Sequence, residues 1–370
     1  MAATIKDVAR IAGVSVATVS RAMNGHANVL PLTRERILDA AKQLRFTPSG
    51  TARSLIMRRT DTIGALLPDL HGEYFSELIR GIDQAARVHG LHLLVSSSHG
   101  DAAEAEAALR AMNSRVDGVL LMTPQAGAQA LCEQLAPGLP AVLLNTPDGG
   151  AGLPRFAVAN ADGAAAMTLH LAEQGRQRIA FVRGPAGHHE SDERLRGHLQ
   201  ALASLPGARQ PLVFDGDFSE AAGQAVGQAI AALPAERRPD AVFAANDMMA
   251  AGCLLALAEA GIQVPAEVAL AGFDDIPIAR YLTPPLTTVH VPIAELGAAA
   301  LEALVQRIEA AQADAADPSP ASEAGRVLQV SLVVRRSSQA APAAPVSRAG
   351  RVPPDTASPD RPPQRRGVDA

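Results

Sequence analysis

Residues 4–24 read TIKDVARIAGVSVATVSRAMN. Ile5, Val8, Ala9 and Ala12 recur at helical spacing, so one face of a first helix is apolar. Gly13 interrupts it, because a residue without Cβ can take the left-handed conformation that a tight turn demands. Ser15 stands where a hydroxyl would cap a second helix carrying Val16 and Val19. Two helices crossed about a short turn form a helix-turn-helix unit. A third stripe (Ile37, Ala40, Ala41, Leu44) behind Thr33 as its expected N-cap supplies the element against which the pair packs. The second helix then turns its N-terminus outward. Free backbone N–H groups there suit phosphates, and first-turn side chains reach base edges in the major groove.

The charge distribution agrees with that reading. Residues 1–60 carry ten basic side chains against Asp7, Glu35 and Asp39, a net of +7, whereas the whole chain of 370 residues is −5. A basic head on an acidic body is the footprint of a nucleic-acid-binding module joined to something else. Arginine usage itself carries no such message, since Lys6 and Lys42 are the only lysines in the chain.

From residue 62 to about 290 the pattern changes. Short apolar runs at Ile63–Leu67, Leu91–Val95, Val119–Met122, Val142–Leu144, Ile179–Val182, Val242–Ala245 and Val268–Phe273 alternate with helical stretches. Such alternation predicts parallel sheets covered on both faces, and the number of units predicts two α/β lobes. A helix near 292–312, an Asp/Pro/Ser loop and one strand at Val327–Val334 follow. Residues 339–370 hold seven prolines and almost no large apolar side chains, a composition that predicts disorder. The expected organisation is a helix-turn-helix domain at 1–48, a linker at 49–61, a two-lobed body at 62–338 and a Pro/Ala-rich tail at 339–370.

Several classes are disfavoured. There is no apolar run long enough for a membrane span and no charged-then-apolar signal segment. Cys132 and Cys253 are isolated, which fits a reducing cytoplasm and neither a zinc module nor a disulfide scaffold. No GxGxxG, Walker A or GxSxG string follows a strand, so a cofactor-dependent or hydrolytic enzyme has no motif support. His188, His189, Glu190, Asp192 and Glu193 crowd together but lack the spacing of a HExxH metal site, so a place on a pocket rim is expected instead. No cofactor and no metal is expected.

The helix-turn-helix string resembles the LacI/GalR family of bacterial transcription regulators almost residue for residue. The resemblance continues through TPSGTARSL (47–55), TIGALLPD (62–69), RVDGVLL (115–121), RIAFVRGP (178–185), ERLRG (193–197), GDFSEAAG (216–223), FAANDMMAAG (243–252), VALAGFDDIP (268–277) and PPLTTV (284–289). It thus covers about residues 4 to 338. It implies an all-α helix-turn-helix head plus a two-lobed α/β sensor with parallel sheets, similar to periplasmic sugar-binding proteins. It also implies a homodimer on palindromic operator DNA, a small-molecule effector, a cytoplasmic location and no membrane attachment.

Carried over residue by residue, the resemblance places Val16, Ala17 and Arg21 at base-reading positions, and Thr18, Ser20 and Asn24 at backbone-positioning ones. Val16 has a second reading, as an anchor in the helical core. Arg21 could fork onto a guanine, while Val16 and Ala17 offer apolar contact to a thymine methyl. Within ARSL (52–55), Leu55 matches the leucine that wedges into the minor groove, with Arg53, Arg58 and Arg59 suited to phosphates. The chain departs from the family at Ser49-Gly50-Thr51, where relatives have better helix formers. A glycine there costs about 1 kcal/mol relative to alanine, so a weak hinge helix is expected.

In open α/β sheets ligands sit outside the carboxyl ends of the strands. Tyr74, Phe75, Asn145, Asn160, Arg194, Phe218, Asn246 and Asp274 lie just beyond such ends or at the first of three crossovers expected near 160, 290 and 325. By resemblance, Arg194, Asn246 and Asp274 contact the effector, and Tyr74 and Phe218 wall it. Asn145 stands where many relatives have Asp, and Ala159 removes a polar contact common beside Asn160. Asp247 either contacts the effector or caps a helix, and Asp275 is expected to cap the turn at Ile276–Pro277. Aromatic walls with Arg, Asn and Asp suit a sugar's C–H faces and vicinal hydroxyls, though a purine could use the same walls.

Overall fold

In a computed structural model of the chain, residues 3–23, 28–46, 59–124, 128–147, 152–207, 210–313 and 325–339 are described. The linker positions Gly50, Arg53, Leu55 and Arg58, the DNA-contact position Asn24 and the tail from residue 340 lie outside them.

Helices α1 (Ile5–Ala12), α2 (Val16–Met23) and α3 (Pro31–Gln43) form the head. Gly13 takes φ 63°, ψ 38° and donates its N–H to Ala9 O, ending α1 in the left-handed cap its sequence predicts. The Asp7 carboxylate accepts from the Thr4 N–H and hydroxyl at 3.0 and 2.7 Å, and the hydroxyl bond is the main cause holding its pKa below the ordinary value. Ser15 Oγ accepts from the Thr18 N–H at 3.1 Å, as a cap of α2 should. Thr33 does not cap α3. That helix begins two residues earlier at Pro31, whose fixed φ and missing N–H suit a first helical position. Val8, Ala9, Ala12, Val19, Ala22, Val29, Ile37, Ala40 and Ala41 make the small core, and the Arg34 guanidinium donates to Ala22 O, tying α3 to the end of α2.

The first lobe contains β1 (Thr62–Leu67), α4 (Glu73–Val88), β2 (His92–Ser97), α5 (Ala102–Met112), β3 (Gly118–Met122), α6 (Ala128–Glu133), β4 (Ala141–Leu144) and β5 (Arg155–Val158). The second contains α7 (Asn160–Glu173), β6 (Ile179–Arg183), α8 (His189–Ser204), β7 (Leu212–Asp215), α9 (Glu220–Ala231), β8 (Ala241–Ala244), α10 (Asp247–Glu259) and β9 (Ala269–Ala271). The chain then runs through β10 (Thr288–His290), α11 (Ile293–Gln312), β11 (Arg326–Leu328) and β12 (Ser331–Val333). The sheets run β11-β5-β4-β3-β1-β2 and β7-β6-β8-β9, and every neighbouring pair in both is parallel. Among the described residues no helix is long and apolar enough to cross a membrane.

The single strand expected at Val327–Val334 is two. β11 extends the first sheet beside β5, and β12 pairs antiparallel with β10. A continuous strand could not serve both, because the chain is passing from one lobe to the other here. The other passages are β5 to α7 and β10 to α11, so the three crossovers lie side by side. Apolar runs did not reveal β5 and β7. Each is only four residues long with a charged residue, Arg155 or Asp215, at one end, and β7 alternates half-buried and exposed residues as an edge strand does.

Candidate functional site: the interlobe cleft and the outward face of the second helix

Parallel strands deliver their following loops to one rim, so the two lobes face each other across loop-borne side chains. Tyr74 and Phe75 open α4, their rings edge to face with centroids 5.4 Å apart. Asn145 follows β4 with φ 45°, a left-handed conformation that asparagine tolerates. Its amide Nδ2 donates to the Tyr74 hydroxyl at 2.8 Å and, across the cleft, to Glu190 Oε1 at 2.6 Å. Further hydrogen bonds among the described residues join the lobes. The Ile278 N–H donates to Glu73 Oε2 at 2.9 Å, and the His189 N–H to Pro124 O at 2.8 Å.

Arg194, projecting from α8, is the hub of the second lobe. Its Nε donates to Asn160 Oδ1 at 2.8 Å, one terminal nitrogen to Ala245 O at 2.6 Å, and the other lies 2.9 Å from Asp274 Oδ1. The guanidinium carbon sits 3.9 Å from the centre of the Phe273 ring. Planar, with donors on three nitrogens, arginine is suited to such a junction. On the other wall, Phe218 takes φ 72°. Its ring fills the space that a Cβ on Gly184 would occupy and meets His188 edge to face at 5.0 Å.

Burial governs the electrostatics. It pushes the Glu190 carboxyl up to about 7, with Arg194 opposing and Asp274 adding to the rise. Asp274 rises to about 6 by burial, again opposed by Arg194. His188 falls to about 4, through burial first and then Arg194 and His189, so it is uncharged at neutral pH. Burial also raises the Tyr74 phenol well above its ordinary value.

The structure therefore brings Tyr74 and Asn145 together on one side, and Arg194, Asn160 and Asp274 on the other. Asn246, expected to contact the effector, also holds its own lobe together. Its Oδ1 caps α10 through the Met249 N–H and its Nδ2 donates to Phe218 O, both at 2.9 Å, so it positions the Phe218 wall. Asp247 does not cap that helix. Fully buried, it accepts from the Ile276 N–H and the Thr288 hydroxyl. Asp275 does not cap the Ile276 turn either, since it pairs with Arg335 and His290. Glu190 was legible only as one member of a charged cluster at a pocket rim, yet it is buried and faces Asn145. Among the described residues no group of histidine, cysteine and carboxylate side chains could hold a metal.

On the head, Val16, Ala17 and Arg21 are all exposed on α2. Val16 is 40% exposed and Val19 fully buried, so the Val16 side chain is not an anchor of the core. Thr18 is half-buried and its hydroxyl lies 2.9 Å from Ser15 Oγ, while Ser20 is half-buried farther along α2. Arg59 is engaged at the body's edge. Its Nε lies 2.8 Å from Asp61, so the expected phosphate role finds this arginine already paired.

Comparison with known proteins agrees with this two-part architecture. Residues 4–49 match the model of the bacterial regulatory proteins of the lacI family, and residues 168–338 match a periplasmic binding protein-like domain. The ribose operon repressor of Haemophilus influenzae is 35% identical over 83% of this chain and 92% of its own length. The HTH-type transcriptional repressor PurR of Edwardsiella ictaluri is 36% identical over 85% and 92%. A lac repressor dimer bound to operator and the anti-inducer ONPF superposes with a TM-score of 0.80 at 28% identity, covering 92% of this chain and all of the other. With a helical head whose second helix is exposed, a two-lobed body and these relatives along most of its length, the chain belongs to the lacI family of bacterial regulatory proteins, DNA-binding transcription regulators and not enzymes.

Proposed function

We propose that the protein is a repressor that binds a palindromic operator as a homodimer and releases it when a sugar or sugar derivative occupies the interlobe cleft. The observation that carries the effector half is the convergence, from both lobes, of Tyr74, Asn145, Glu190, Arg194 and Asp274 between aromatic walls. Alternating polar groups and ring faces match the alternating hydroxyls and C–H faces of a sugar. Relatives named as repressors support the direction of control. Two-fold symmetry in the protein matches a palindromic site, and the lac repressor relative is a dimer on its operator. A regulator of bacterial operons works in the cytoplasm.

Coupling follows from the crossovers. The Asp274 N–H donates to Val289 O, and the Val291 N–H to Asp274 O, so a ligand that grips Asp274 pulls directly on the strand joining the lobes. The effector then biases one lobe arrangement over another and thereby the spacing of the two heads. The test is selection of a binding duplex from a random library, followed by competition with monosaccharides, short oligosaccharides and purine bases. Release by a sugar is the expected result. Release or tightening by purines alone would replace the sugar with the purine reading.

A further inference from the structure

We propose that Glu190 is the charge filter of the cleft, making it take an uncharged ligand rich in hydrogen-bond donors, such as a free sugar, and turn away phosphorylated or carboxylated ones. This rests on the effector-binding reading above and specifies what that site accepts.

The first argument is a donor and acceptor count. Asn145 is 1% exposed, and while its Nδ2 serves Tyr74 and Glu190, its Oδ1 has no partner. The carboxylate fixes that orientation, because an ionised Glu190 only accepts. A buried carbonyl oxygen without a donor is costly, and a ligand hydroxyl or N–H relieves it. The Glu190 and Asp274 carboxylates ask for donors as well. The Tyr74 hydroxyl accepts from Asn145, which leaves its own proton to donate. An occupant with several hydroxyls answers all of these acceptors, whereas a phosphate dianion, an acceptor only, answers none of them and turns to the Tyr74 proton and to the N–H groups that Arg194 keeps beyond its three contacts.

The second argument is charge. The charged groups acting on Glu190 are Arg194 and Asp274, one cation against two carboxylates. The charge of Arg194 is already matched by Asp274, 2.9 Å away, while two of its nitrogens donate to Asn160 and the Ala245 carbonyl, and His188, 3.9 Å from Glu190, is neutral. An anionic ligand would enter without a free counter-charge and beside a carboxylate that burial has already pushed up to about 7. It would force a further proton onto Glu190 or be repelled. A hydroxyl donating to Glu190 meets neither obstacle.

The experiment is calorimetric titration of the full chain with matched pairs: D-ribose and ribose 5-phosphate, D-glucose and glucose 6-phosphate, D-galactose and galacturonate, hypoxanthine and inosine monophosphate. The expected result is binding of a neutral member with about 10- to 100-fold preference over its anionic partner, the scale of one hydrogen bond to a charged group. In Glu190→Gln that ratio should shrink at least tenfold. Because the ratio is taken within one preparation, partial loss of folded protein cancels. Equal or tighter binding of the anion to the wild type, an unchanged ratio in the variant, or no neutral member bound overturns the proposal. Binding of hypoxanthine without any sugar would end the sugar reading, yet its ratio to inosine monophosphate still decides the role of Glu190.

Discussion

The Asn145 amide donates to Glu190 Oε1 at 2.6 Å, joining the end of a first-lobe strand to the first turn of a second-lobe helix. The same amide nitrogen holds the Tyr74 hydroxyl. One side chain therefore couples an aromatic wall to lobe closure, and the partner it closes on is a carboxylate whose protonation changes near neutrality.

A stability difference that depends on pH follows. Glu190 has an ordinary pKa of 4.5 and is raised to about 7 in the folded chain. Below 4.5 both states hold the proton and burial adds no penalty. Between 4.5 and 7 only the folded state holds it, so stability falls as pH rises, and above 7 the full penalty of a buried carboxylate is present. Glu190→Gln keeps an oxygen for Asn145 and removes the charge. Its melting temperature should match the wild type at pH 4.5 and exceed it by several degrees at pH 8, corresponding to on the order of 3 kcal/mol. A gap independent of pH in thermal melts would refute the assignment.

Arg194 should show the complementary behaviour. Arg194→Met keeps much of the volume over Phe273 but strands Asp274, and breaking one side of a buried ion pair costs about 3–5 kcal/mol. Asp274 can then escape by taking a proton. The loss in urea melts should be full at pH 8 and shrink toward pH 4, and adding Asp274→Asn should restore part of it at pH 8. Equal losses at both pH values would show that packing over Phe273 dominates.

The head was readable because its signals are local. Gly13, Ser15 and the spacing of Val8, Ala12 and Val19 each act within one or two helical turns, and looking just beyond the carboxyl ends of parallel strands picked out Tyr74, Asn145, Arg194 and Asp274, side chains that the structure gathers between the lobes. What escaped depends on distant partners. Glu190 sits in the stretch HESDER, which reads as a pocket rim with no member singled out until Asn145 arrives from another lobe. Asp275 finds Arg335 sixty residues away, a pairing that no local pattern encodes. Thr33 failed as a cap because Pro31 supplied an earlier start from backbone geometry alone.

Gly184 offers a test of the cleft wall that leaves every polar group in place. A Cβ there overlaps the Phe218 ring, so Gly184→Ala should displace that ring and the His188 edge resting on it. Overpacking costs about 1–3 kcal/mol in stability. Ligand-induced thermal stabilisation should fall with it, whereas Gly187→Ala, whose Cβ meets nothing within 4 Å but whose φ is 74°, should cost stability without displacing the wall. A ligand shift preserved in Gly184→Ala would remove Phe218 from the site.

The head separates reading from folding within one helix. Val19 is fully buried and Val16 is 40% exposed, although both belong to the same apolar pattern. Val19→Ala should cost about 2 kcal/mol through lost burial. Val16→Ala should leave the melt within about 0.5 kcal/mol yet change which operator variants are preferred. Arg21→Ala should relax discrimination at one base pair by about 1–3 kcal/mol, as expected for a bidentate contact to guanine. The decisive measurement is competition between the selected operator and single-base variants at one salt concentration, because a uniform loss across variants would assign Arg21 to phosphate contact.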